Sequence, residues 1–112
     1  MSGFFGPTDY GPGVQGQQNL SATATTNATA AVLQTKISIF TTVGVGGIVL
    51  LPHVTDCELI VLNRGANALT VATTQDLIET YGTSVFIAPG GNARFMQFTP
   101  PSQPPPWTWW LS

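Results

Sequence analysis

The sequence predicts an all-β chain: a single β-sandwich or jelly-roll-like barrel of about seven to eight short strands, carried behind an extended N-terminal arm. Three observations predict it. From residue 30 onward short apolar runs follow one another, each bounded by Gly, Pro, Asn or Asp. No segment shows a sustained 3.6-residue apolar period that would bury one face of a helix. The 112 residues suffice for one core and are too few for two.

Residues 1–28 form the expected arm, and residues 29–112 the body. The arm is rich in Gly, Pro, Gln, Thr and Ala and has no apolar period of either kind. Its start, "FFGPTDYGPG", sets Phe4, Phe5 and Tyr10 among prolines and glycines. These three are read as aromatic anchors for neighbouring subunits, because nothing around them can build a core.

The body opens with "QTKISIFTTV", whose alternation puts Ile37, Ile39 and Thr41 on one face and Lys36, Ser38 and Phe40 on the other. "GGIVLLP", "CELIVLN", "ALTVAT", "SVFIAP", "ARFMQFT" and "WTWWLS" follow as further strands. "ELIVL" is apolar on both faces, which suits a central strand or one covered by a neighbouring subunit. "TTQDLIETYG" is expected to form one helical turn with Asp76 and Glu79 in solvent near its start.

Two hairpin turns are expected. Asn63, Gly65 and Asn67 lie between the runs "LIVL" and "ALTVA", and Gly and Asn tolerate the positive φ of a tight turn. Arg64 in that turn is expected to be solvated. Gly90 and Gly91 supply the second bend, in "IAPGGNARF". Near the C-terminus, Pro104–Pro106 favour an extended run without main-chain donors. Trp107, Trp109 and Trp110 follow; either two of them close the core or at least one projects into a subunit interface.

Charge supplies the main functional clue. Only 7% of residues are charged, against roughly 25% in an ordinary soluble domain. A surface so poor in charge suits a protein whose faces are covered by copies of itself or by another protein. Three cations scattered along a slightly acidic chain argue against a nucleic-acid partner, which needs clustered Lys and Arg. The first residues have neither the basic nor the apolar region of a signal peptide, and no stretch reaches the roughly 20 apolar residues of a membrane-spanning helix.

Chemistry-bearing residues are sparse, and neither an enzyme nor a cofactor is expected. His53 is the only histidine, at a corner after Pro52. Without a second histidine or a close carboxylate pair it makes neither a triad nor a metal site. Asp56 and Glu58 are not expected to share general acid–base work. Cys57, the only cysteine, reads as a small buried hydrophobe. A Gly-rich phosphate cradle at residues 63–67 would need a following helix and a Lys with Ser or Thr, and neither is present.

Several of these pieces together resemble a β-rich module of small structural proteins in tailed bacteriophages. They are Thr41, Thr42 and Val43; the Leu51–Pro52 corner; "NRGANAL", with Asn63, Gly65, Ala66, Asn67, Ala68 and Leu69; Ala88, Gly90 and Gly91; and Trp107 or Trp109 in a closing aromatic strand. The match spans residues 30–112, and departs from the pattern at "TPPSQPPPWTWW" and at Pro89. The resemblance implies a virion protein. The function expected from it is that of a capsid decoration or cement protein on the outer surface of a phage head, bound to the major capsid protein and to itself as a homotrimer. The trimer follows from analogy with cement proteins at three-fold positions. The alternative is a tail, baseplate or fibre-associated adaptor or receptor-binding module.

Overall fold

Apart from the last two, strands that follow one another in the chain fall in opposite sheets. The computed structural model describes residues 16–112; the arm anchors expected at Phe4, Phe5 and Tyr10 lie outside them. Ten strands run in order: β1 (Gly16–Ala22), β2 (Ala31–Val32), β3 (Ile37–Val43), β4 (Ile48–Leu50), β5 (Cys57–Asn63), β6 (Leu69–Ala72), β7 (Leu77–Ile78), β8 (Ser84–Ile87), β9 (Asn92–Gln97) and β10 (Thr108–Leu111). They form a six-stranded sheet, β1-β3-β5-β9-β10-β7, and a four-stranded sheet, β2-β4-β6-β8. The fold is a β-sandwich, as its alternating apolar runs predict.

Its winding is less expected. β1, β3 and β5 are parallel neighbours, and so are β2, β4 and β6. The chain therefore crosses from sheet to sheet at every step and lays each turn of a flattened coil beside the last. It then reverses: β8 returns antiparallel to β6, β9 antiparallel to β5, and β10 antiparallel to β9.

Side-chain alternation fills the space between the sheets. Phe40, Leu59, Val61 and Phe95 from the larger sheet meet Val49, Leu69, Val71, Val85 and Ile87 from the smaller one, and Trp109 is fully enclosed with them. Burial of this apolar surface is the main force holding the layers together.

Three expectations are corrected by this architecture. The body begins at Gly16, well before residue 29: β1 pairs with β3, and Ala22 reaches the core. Most β1 side chains are exposed, so the strand is held by its main chain and leaves no apolar period to read. Second, the segment around Asp76 is not a solvated helical turn. Asp76 is buried, β7 follows it, and only Glu79–Tyr81 form a short 3₁₀ turn. Third, neither expected hairpin exists, because β5 and β6 belong to different sheets, as do β8 and β9. The bends at residues 63–67 and 88–91 are crossings between layers.

Candidate functional site

The outward side of the six-stranded sheet carries a run of apolar side chains. In-register neighbours place Ile37 beside Ile60 and Ile39 beside Leu62, and Met96 beside Trp110. All of these point away from the core and are half-buried or exposed. Phe98 extends the stripe, 60% exposed, and its ring stacks on that of Trp110 at 6.2 Å. Polarity on this face comes mainly from one cluster: Glu58 pairs with Lys36 at 3.2 Å and with Arg94 at 3.3 Å. A sheet face in contact with water normally carries polar residues. Here isoleucine, leucine, methionine and tryptophan occupy those positions, as on a surface made to be covered.

The three tryptophans divide accordingly. Trp107 is 8% exposed and Trp109 fully buried, so both are core residues of the chain; Trp110, 42% exposed, alone of the three stands on the outward face. Their spacing explains the split, since Trp109 and Trp110 are successive residues of β10 and must point to opposite sides.

The conspicuous polar stretch at residues 63–67 is a structural junction between the two sheets. Asn63 ends β5 with its side chain buried. Its Nδ2 donates to the carbonyls of Asn67 and Ile87, both at 2.8 Å, and its Oδ1 accepts the Gly65 N–H at 2.9 Å. Its main chain exchanges bonds with the 88–91 turn: the Asn63 N–H donates to Gly91 O at 2.9 Å and the Gly90 N–H to Asn63 O at 2.7 Å. Asn67 donates from Nδ2 to Val43 O at 2.7 Å, tying this crossing to the preceding turn of the coil. Arg64 is exposed, as expected, and in addition donates from Nη1 to Gly90 O at 3.1 Å and Gly91 O at 3.2 Å.

The glycines act here for reasons that the sequence only partly exposes. Gly65 does not need positive φ; it passes so close to β3 that a Cβ would lie 2.8 Å from the Val43 nitrogen. In the second bend, the Gly91 N–H donates to Ala88 O at 2.8 Å, and Gly90 carries φ of 84°. With Pro89 before it, that is the arrangement of a type II turn.

His53 has a partner that linear spacing hides. Its Nδ1 lies 2.8 Å from Oδ2 of Asp76, and its ring stacks on Trp107 at 4.0 Å. The other carboxylate oxygen of Asp76 accepts the Trp107 N–H at 3.1 Å. The group clasps the 52–54 corner to the proline-rich approach to β10. The Thr73 hydroxyl donates to the Asp76 main-chain oxygen. Among the described residues no three His, Cys, Asp or Glu side chains gather as a metal site, and no helix is long and apolar enough to cross a membrane.

Cys57 sits half-buried at the start of β5. Burial, with a smaller contribution from the negative charge of Asp56, pushes its thiol up to about 11 from an ordinary 9.0. The folded state therefore favours the protonated thiol. Its contribution to stability is complete below pH 9 and is lost as pH rises through about 11. Iodoacetamide labelling of the native chain, followed by mass spectrometry, should keep accelerating up to that pH, whereas the urea-unfolded chain should level off near pH 9.

No protein-family model, curated protein or solved structure matches the chain.

Proposed function

We propose that the chain is a virion structural protein of a tailed bacteriophage, a decoration or cement protein on the outer surface of the head. In this reading it binds the major capsid protein, and itself as a homotrimer. The single observation that carries the assembling role is the apolar outward face of the six-stranded sheet, from Ile37 and Ile39 through Ile60 and Leu62 to Met96, Phe98 and Trp110. Each square ångström of apolar surface removed from water is worth about 25 cal/mol, and repetition over a shell multiplies a modest contact. The scarcity of charge supports the same reading, since a covered face has little need of it.

The mechanism is adhesive. The sandwich supplies a rigid plate, and its outward face joins the neighbour. The N-terminal segment with Phe4, Phe5 and Tyr10 extends the contact to adjacent subunits. The phage-module resemblance of residues 41–43, 63–69 and 88–91 directs this assembling role to a virion.

Quantitative mass spectrometry of purified phage particles that contain the chain tests the location. Hundreds of copies per particle are expected. A handful of copies would overturn the head-surface reading and point to the tail or a vertex.

A substitution tests the face itself. Ile60 pairs across the sheet with Arg94, so Ile60→Glu places an acidic group beside a cation and is tolerable in an isolated sheet. The variant should retain its β circular dichroism spectrum and stay within about 1 kcal/mol of the parent in urea, yet fail to assemble in gel filtration with light scattering. An Ile60→Glu chain that assembles like the parent would exclude this face from the interface.

A further inference from the structure

One cation on the outward face of the six-stranded sheet has unfinished bonding. The Arg94 guanidinium carries five N–H groups. Its Nε pairs with Glu58 Oε2 at 3.3 Å, and its Nη2 donates to Ser112 Oγ at 3.2 Å. Three of the five N–H groups are left without an acceptor among the described residues. The side chain is 48% exposed, so water serves them while the face is open.

One carboxylate on the same side is equally uncommitted. Glu58 is held by Lys36 and Arg94, Asp76 by His53, and Glu79 by the Leu111 N–H at 2.6 Å. Asp56 alone of the described acidic residues has neither an ion pair nor a hydrogen bond among the described residues. It is exposed, and it lines an open cleft at the end of the face together with Lys36, Glu58 and Met96. Within one chain the two free groups do not meet. Arg94 stands opposite Ile60, and Asp56 precedes Ile60 by four residues, about 13 Å along the strand direction.

Covering this face takes water away from Arg94. A guanidinium enclosed with unmet donors is costly, so the covering surface must bring an acceptor, and a carboxylate fits the guanidinium fork best. We propose that the occupant is a second copy of this chain, and that Arg94 of one protomer pairs with Asp56 of the next. Each chain has one such donor and one such acceptor, so a head-to-tail contact repeated around a closed ring uses both on every subunit. The pairing rests on the reading of this face as an interface between copies, and it adds the residues that fix the register of the contact.

Arg94→Lys supplies an amine that a water-soluble carbodiimide joins to a touching carboxylate. Full-length chains of this variant, with and without nitrogen-15 label, are refolded together from urea, cross-linked and mapped by mass spectrometry. A link from position 94 to Glu58 within one chain serves as the internal control, since the two side chains already meet. The expected result is a second link, from position 94 to Asp56, in peptide pairs that join a labelled to an unlabelled chain. If the sample sediments as a trimer and shows the control link, but position 94 reaches Asp56 only within a chain or not at all, this pairing is overturned and the covered face stands. A sample that sediments only as a monomer overturns both. Asp56→Asn, which keeps a residue type that tolerates the backbone φ of 55°, and Arg94→Met should each weaken trimer formation by on the order of tenfold. The combined variant should be no weaker than either, as for two groups that act as one pair; losses that multiply would also overturn the proposal.

Discussion

Asn63→Ala is expected to destabilise the chain by about 3–5 kcal/mol, an effect as large as deleting a core leucine. The side chain is fully buried and makes three bonds, to Gly65 N, Asn67 O and Ile87 O. Truncation leaves the three main-chain groups without their partner in a place water does not easily enter, and each such loss costs about 1–3 kcal/mol. Asn63→Asp separates the two halves of the role. It retains an acceptor for the Gly65 N–H but turns an oxygen toward the carbonyls of Asn67 and Ile87, so it should be nearly as damaging as alanine. Urea denaturation followed by tryptophan fluorescence gives both values. A loss below about 1 kcal/mol for Asn63→Ala would mean that the junction does not hold the sheets together.

Gly65→Ala should cost about 3 kcal/mol, and Gly65→Val should prevent soluble expression. An added Cβ at this position would lie 2.7 Å from Val43 Cγ2 and 2.8 Å from the Val43 nitrogen. The side-chain atom can turn away, but the nitrogen belongs to β3 and moves only with its strand. Gly90 offers the contrast. A Cβ there meets nothing within 4 Å, yet φ is 84°, so Gly90→Ala should cost about 1–2 kcal/mol from backbone conformation alone. The order Gly65 above Gly90 above Gly91 in loss of urea midpoint is the expected outcome. A Gly90 effect larger than that of Gly65 would show that positive φ, and not the approach to Val43, governs these crossings.

These two junctions mark where sequence reading succeeds and where it stops. The strands of the body were legible because alternation writes the inside and outside of a sheet directly: Leu59 and Val61 in, Ile60 and Leu62 out. The residues of the bends were legible as well, since Gly, Asn and Pro mark them. What they join was not, because a turn between paired strands and a crossing between sheets use the same residue types. β1 was hidden for a related reason. "GQQNLSA" is held at a sheet edge by main-chain bonds, which no side-chain pattern records. The pairing of His53 with Asp76 spans 23 residues and could emerge only from the fold. The apolar outward face, by contrast, had a visible signal in "ELIVL", apolar on both sides of one strand.

The most direct test of the assembling role is the solution mass of the full-length chain, measured by sedimentation equilibrium over a range of concentrations beside Ile60→Glu. A chain of 11.8 kDa whose outward sheet face is an interface should give a parent species of three times that mass and a variant that remains monomeric with its fold intact. A parent that is monomeric at every concentration, or a variant that forms the same trimer, would contradict the account.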